Sequence, residues 1–317
     1  MRLRAPAALL TALVATVAVL TGCAAGTSDD DGALTVGFVV DPSWAQVPVA
    51  EQLGRFTEEG VDVQVVNFST GVEALQALQA GQVDVTTAGD VPTSAAAARA
   101  ADLRVVADGA RWNGSRIVAR GSTGITDLAG LQGRRIGTPS GTTAAYYASR
   151  ALEQAGVEAE LVQVAPSAMV TAATQDDVDA VSVFQPYQAQ VVAALGADAV
   201  ALDGGDYTQH SLYLARAETA ERKTEALGAF FRAIDRAGED LRSGSPEALD
   251  AVATATQLPL DLLGPVLAEF DFSLRLDDDL AGELQRLAEW AKQQGNLEAG
   301  QELPDYAGVL DDRFVRG

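Results

Sequence analysis

Residues Ser140-Gly141-Thr142-Thr143 set two threonine hydroxyls and a bare turn between an expected strand and an expected helix. The first N–H groups of a helix lack intrahelical partners and carry partial positive charge, so such a turn presents donors suited to an anion. The same residues fit a plainer purpose, with Thr142 or Thr143 capping its own helix. Small-residue loops of this kind recur at Asp41-Pro42-Ser43-Trp44, Phe68-Ser69-Thr70-Gly71 and Ala88-Gly89-Asp90-Val91-Pro92, and Phe184-Gln185-Pro186-Tyr187 makes a fifth. One cap is ordinary; the repeated pattern is less so.

Catalytic constellations do not emerge. The sequence has no G-x-S-x-G elbow, no P-loop glycine-lysine run, and no expected loop that pairs a base with a nucleophile. His210 is the single histidine and Cys23 the single cysteine, so neither a His/Cys metal cluster nor a disulfide framework can be assembled. Catalytic residues, metal ligands and cofactors are therefore expected to be none.

The elements that must position these loops follow from the apolar pattern. Strands are expected at Leu34–Val40, Val61–Asn67, Val83–Ala88 and Leu103–Ala107, alternating with helices at Val49–Glu59, Val72–Ala80 and Thr93–Ala101. A second series has strands at Arg116–Arg120, Arg135–Thr138, Glu160–Val164 and Ala180–Phe184, with helices at Thr143–Ala155, Ser167–Thr174 and Pro186–Ala194. His210–Ala215 reads as one more strand, followed by helices at Ala220–Ser243, Pro246–Thr256, Leu260–Phe270 and Asp278–Gln294. Alternation of this kind predicts mostly parallel sheets covered by helices, in two lobes, with the loops at the carboxyl ends of the strands where open α/β sheets bind ligands.

The ends and the charge narrow the setting. Met1-Arg2-Leu3-Arg4, an uncharged run from Ala5 to Gly22 and the acidic, small-residue stretch after Cys23 read as a secretory signal over residues 1–22, then a flexible tether over 23–33. The formal net charge is −22 at pH 7, and loss of Arg2 and Arg4 makes it two units more negative. Such a surface repels nucleic acid, so no nucleic-acid partner is expected. An anion site on it needs local donors shielded from water.

Leu20-Thr21-Gly22-Cys23 resembles the lipobox of bacterial lipoproteins, which implies cleavage before Cys23, lipid on its sulfur and an extracytoplasmic, membrane-anchored domain. Four longer stretches, VDVTTAGDVPTSAAA (83–97), DLAGLQGRRIGTPSGTTAAYYASRAL (127–152), VDAVSVFQPYQA (178–189) and DYAGVLDDRFV (305–315), together with the opening TVGFVVDPSW (35–44), resemble the substrate-binding proteins of ABC importers for aliphatic sulfonates and taurine, relatives of nitrate-binding proteins. The resemblance implies a periplasmic-binding-protein-like type II α/β fold with two hinge crossovers. Lobe 1 then comprises 34–114 plus 204–317, and lobe 2 the inserted 115–203. It also implies a monomer that delivers its ligand to a permease and an ATPase.

Carried onto this sequence, the resemblance implies a pocket of Ser43, Trp44, Thr70, Gly71, Gly89, Asp90, Ser140, Gly141, Thr142, Thr143, Phe184 and Pro186. The turn after Pro139 would hold a sulfonate through N–H groups and threonine hydroxyls. Phe184-Gln185-Pro186-Tyr187 replaces the Trp-Asp-Pro-Tyr of many sulfonate-type members. A ligand such as taurine also needs a carboxylate for its ammonium group, and Asp41 and Asp90 are available, whereas Ser211 stands where taurine-type relatives place an acid. Asp90, with Pro92 just after it, reads also as a helix cap, Trp44 as pocket wall or loop aromatic, Trp112 and His210 as structural residues beside the crossovers, and Trp290 as core. Nitrate, bicarbonate or a thiamine pyrimidine precursor are alternative ligands; a lipid-anchored sensor or an enzyme of thiamine-precursor metabolism are alternative classes.

Overall fold

The computed structural model describes residues 32–315; the expected signal segment 1–22 and Cys23 lie outside the described residues. In chain order the first elements are β1 (Ala33–Val39), α1 (Gln46–Gln52), α2 (Arg55–Glu59), β2 (Asp62–Phe68), α3 (Gly71–Gln79), β3 (Val85–Gly89), α4 (Asp90–Ala97) and β4 (Leu103–Trp112). The middle of the chain forms β5 (Ile117–Arg120), β6 (Arg135–Thr138), α5 (Thr143–Ala155), β7 (Glu160–Gln163), α6 (Met169–Thr174), β8 (Ala180–Ser182), α7 (Tyr187–Leu195) and β9 (Ala199–Leu202). Then come β10 (Gln209–Arg216), α8 (Ala217–Arg222), α9 (Thr224–Arg242), α10 (Pro246–Thr256), α11 (Leu260–Leu267), β11 (Phe270–Asp271) and α12 (Leu280–Gln293). Among the described residues no helix is long and apolar enough to cross a membrane.

Two sheets organise these elements, in the orders β11-β4-β10-β3-β1-β2 and β7-β6-β8-β5-β9. Alternate residues of the strands feed the two faces of each sheet, as the two-residue side-chain period requires. Leu212 and Leu214 pack under α12 with Leu284 and Leu287, while Tyr213 and Ala215 turn to the opposite core with Phe230, Phe231 and Ile234 of α9. In the second sheet Ile117 and Ala119 pack with Tyr147 and Leu152 of α5, and Val118 packs with Met169 of α6 and Val191 of α7. Each sheet is thus covered on both faces. The chain passes between the sheets twice, after β4 and before β10.

As expected, most strands of each sheet run in one direction, four in either case, and the reversed ones gather at the crossings. β1 pairs in parallel with β2 and β3, but β10 runs antiparallel to both β3 and β4. In the second sheet β5 runs antiparallel to β8 and β9. The physical cause is the double crossing: a strand that enters a sheet from the crossing points away from it, while its neighbours point toward it.

The differences are local. The expected helix 49–59 is two helices, because Gly54 adopts a left-handed backbone at φ 72° that ends the first turn series. The expected helix 220–243 also divides, at Lys223, which leaves helical geometry while its Nζ donates to the Ala33 carbonyl at 2.7 Å and to Asp84 Oδ2 at 3.0 Å. The helix expected to reach Phe270 ends at Leu267, since Phe270 and Asp271 pair as β11 with Trp112 and Arg111. Strand β9 was not expected, and β4 runs five residues beyond Ala107.

Candidate functional site

Three helix N-termini meet between the sheets. Thr70 caps α3, its hydroxyl oxygen accepting from Glu73 N–H at 3.2 Å, while the Glu73 carboxylate accepts from the N–H of Ser69, the residue before the cap. Helix α4 starts directly after Gly89, and α5 after Thr142. Thr142 donates its hydroxyl to the Pro139 carbonyl at 2.6 Å and stands 3.5 Å from Ala145 N–H, so it takes the N-cap position by a long contact. The N–H groups of Thr143 and Ala144 have no hydrogen-bond partner among the described residues.

These termini line one cavity, with Gly71, Gly89 and Pro92 from the six-stranded side facing Thr142, Thr143 and Phe184 from the five-stranded side; Val39, Asp41, Trp44 and Gln209 complete it. Its free volume is about 20 Å³, so the walls are closed on each other. Gly89 permits that closure: a Cβ built on it would lie 2.8 Å from Thr143 Cγ2, inside van der Waals contact. Trp44 is buried, with its indole N–H donating to the Leu212 carbonyl at 3.2 Å, so its ring is a fixed wall.

Asp41 and Asp90, the two carboxylates considered from sequence, differ sharply. Both oxygens of Asp90 are engaged: Oδ1 accepts from Tyr207 hydroxyl and Val91 N–H, both at 2.7 Å, and Oδ2 accepts from His210 N–H at 3.1 Å. Burial pushes its carboxyl up to about 6, with His210, Tyr207 and backbone donors pulling the other way. Asp90 therefore fastens α4 to the second crossing segment. Asp41 is buried as fully, but only Ser43 serves it, donating N–H to Oδ1 at 2.7 Å. Burial raises its carboxyl to about 7, Ser43 opposing. No ion pair to Asp41 forms among the described residues.

The remaining expected residues take other places. Ser43 stands behind the wall, its hydroxyl accepting from Gln209 Nε2 at 3.2 Å. Ser140 and Gly141 face an outer groove beside Arg99 and Gln76, with Ser140 N–H donating to Gln163 Oε1. Pro186, after a cis peptide bond, begins the turn into α7 and is not among the cavity walls. Trp112 stacks on Phe270 with centroids 5.5 Å apart, and His210 Nδ1 lies 2.7 Å from Asp108 Oδ2, so both are built into the crossing strands. Trp290 is packed edge-on against Tyr146. Ser211 is buried in β10, and its hydroxyl lacks a partner among the described residues.

Gln209 is a cavity residue that was not expected from the sequence. Its side chain is buried on the cavity wall, with Oε1 lacking any partner among the described residues. The signal was its position one residue before the expected strand at the crossing, where strand ends face the ligand. A larger cleft of about 530 Å³ lies on the outer side, between α5 and α12. Its arginines are already committed, Arg150 to Glu153 and Arg286 to Glu283, each within its own helix.

Residues 41–248 match the NMT1/THI5-like family. The chain belongs to that family. Within this NMT1/THI5-like setting, the chain is 25% identical over 306 residues to the taurine-binding periplasmic protein of Escherichia coli (strain K12), covering 90% of this chain and 93% of that one. Among solved structures, it is similar to the periplasmic aliphatic sulphonate-binding protein SsuA from Escherichia coli, with TM-score 0.74 and 23% identity over 86% of this chain and 95% of that one. It is also similar to the alkanesulfonate-binding protein SsuA from Xanthomonas axonopodis pv. citri bound to MOPS, with TM-score 0.75 and 20% identity over 89% and 98% of the two chains. The two-sheet architecture is thus the two-lobed fold of periplasmic binding proteins.

Proposed function

We propose that this NMT1/THI5-like protein is the solute-binding component of an ABC importer, capturing a small organic sulfonate between its lobes and presenting it to a permease and its ATPase. The observation that carries the reading is the convergence of α3, α4 and α5 N-termini on one closed cavity, with the Thr143 and Ala144 N–H groups unpartnered. The taurine- and sulfonate-binding relatives supply the ligand class. A sulfonate is ionised at physiological pH and needs donors, not a base. Three or four donors at roughly 1.5–3 kcal/mol each would reach the ~8 kcal/mol of micromolar binding after the cost of closure.

Lobe 1 in this reading is 34–114 plus 204–317, lobe 2 is 115–203, and the crossings between them are the hinge. The cavity wall has no histidine, cysteine or lysine, which favours capture over chemical conversion. Cys23 would carry lipid and hold a monomeric domain at the outer face of the membrane. Mass spectrometry of membrane-extracted protein should find an acylated N-terminal Cys23, and Cys23→Ser should release the protein from the membrane.

The function is tested by titration calorimetry on residues 24–317 with short alkanesulfonates, taurine, nitrate, bicarbonate and a hydroxymethylpyrimidine. Micromolar binding of at least one sulfonate, with nitrate, bicarbonate and pyrimidine silent, is the expected outcome. Binding confined to nitrate, bicarbonate or the pyrimidine would reassign the cavity.

A further inference from the structure

The cavity has two chemically opposite poles. On the α5 side stand the N–H groups of Thr143 and Ala144 and the Thr143 hydroxyl, which can donate, while the Thr142 hydroxyl already donates to Pro139. On the β1 side stand Asp41 and Gln209, which offer acceptors: among the described residues the buried carboxylate is served by Ser43 alone, and the amide oxygen, Gln209 Oε1, has no partner. The Gln209 amide is oriented by its other end, because Nε2 donates to Ser43 Oγ at 3.2 Å, so the free oxygen is fixed where it is. Ser43 joins the two, giving its N–H to Asp41 and accepting from Gln209.

A buried carboxylate without a cation and a buried carbonyl without a donor both cost free energy, and both are relieved by a ligand that brings donors. A plain alkanesulfonate brings none; its tail would leave Gln209 Oε1 without a donor and Asp41 without a cation. We infer that Asp41, with Gln209, selects ligands bearing an ammonium group opposite their sulfonate, making this a receptor for a short aminosulfonate in preference to an alkanesulfonate. Asp90 is excluded from that role because both its oxygens are taken. Chain length is limited by the fixed walls of Trp44 and Phe184. The inference rests on the sulfonate reading above.

Titration of 2-aminoethanesulfonate, 2-hydroxyethanesulfonate, ethanesulfonate and 3-aminopropanoate into wild type, Asp41→Asn and Asp41→Ala tests it. Wild type should prefer the amino ligand to ethanesulfonate by roughly ten- to a hundredfold, with the hydroxy ligand between. Asp41→Asn and Asp41→Ala should each erase that preference, weakening 2-aminoethanesulfonate roughly tenfold or more while ethanesulfonate gains affinity as the uncompensated charge is removed. Equal affinity of wild type for amino and plain ligands overturns the inference and leaves the sulfonate reading standing. So does a preference that survives in both variants. Binding of 3-aminopropanoate through Asp41 without any sulfonate binding would sink the sulfonate reading and keep the acceptor pole. Silence toward all four ligands overturns both.

Discussion

Asp41 is held by the fold at a cost that its role explains. An ordinary aspartate titrates at 3.8 and burial moves this one to about 7. Between those values the native state holds a proton that the unfolded state has released, so its contribution to stability falls as pH rises from about 4 to about 7 and stays low above that. Asp41→Asn removes the titration. The variant should match wild type near pH 4 and be more stable at pH 8 by up to about 4 kcal/mol, read from urea unfolding of ligand-free protein. For the same reason an ammonium ligand should bind more tightly as pH climbs through about 7. Tyr187, whose own hydroxyl is raised by burial and by the Asp41 charge, stays neutral across that range.

At the scale of elements, α5 carries the donor pole and its start depends on Thr142. Thr142→Ala loses the hydroxyl contacts to Pro139 and Ala145 and should cost about 1 kcal/mol of stability, measured by chemical denaturation, with Thr142→Ser recovering most of it. The bounds of α5, β6 and α10 were legible in the sequence, because each has a clear polar or glycine boundary around an apolar period. The loops at the strand ends were legible too, and Asp41, Trp44, Gly71, Gly89, Thr142, Thr143 and Phe184 do meet at one cavity. The break at Lys223 was not, since its cause is a partner 190 residues away in the chain. Nor was β11, whose two residues continue a helical pattern and are claimed by an edge of β4 instead. Gln209 escaped for a related reason: a polar residue before a strand says nothing of which carbonyl or hydroxyl it will face.

For the whole molecule, ligand capture requires the lobes to part and close again, and Gly89 against Thr143 sets how far they close. Gly89→Ala inserts a methyl group where only 2.8 Å separates the built Cβ from Thr143 Cγ2. The expected result is a ligand affinity lowered roughly tenfold or more and a ligand-induced compaction, followed by small-angle scattering, that is reduced or lost. Unfolding temperature without ligand should change little. Thr143→Ser in the same background removes the opposing methyl and should restore part of the affinity. If Gly89→Ala bound and compacted as wild type does, closure would not be set at this contact.

The three tryptophans of the chain differ in what surrounds them. Trp44 is pinned within the cavity wall and Trp112 lies against Phe270 at the edge of the six-stranded sheet. Trp290, on α12, meets Tyr146 of α5 edge-on, with ring centroids 5.1 Å apart and an interplanar angle of 86°. That pair spans the two lobes, so parting them wets one face of an indole that is otherwise buried. The protein consequently carries its own optical gauge of opening: with Trp44 and Trp112 changed to phenylalanine, the emission of Trp290 should shift to the red when the lobes separate and return on closure, with no dye attached.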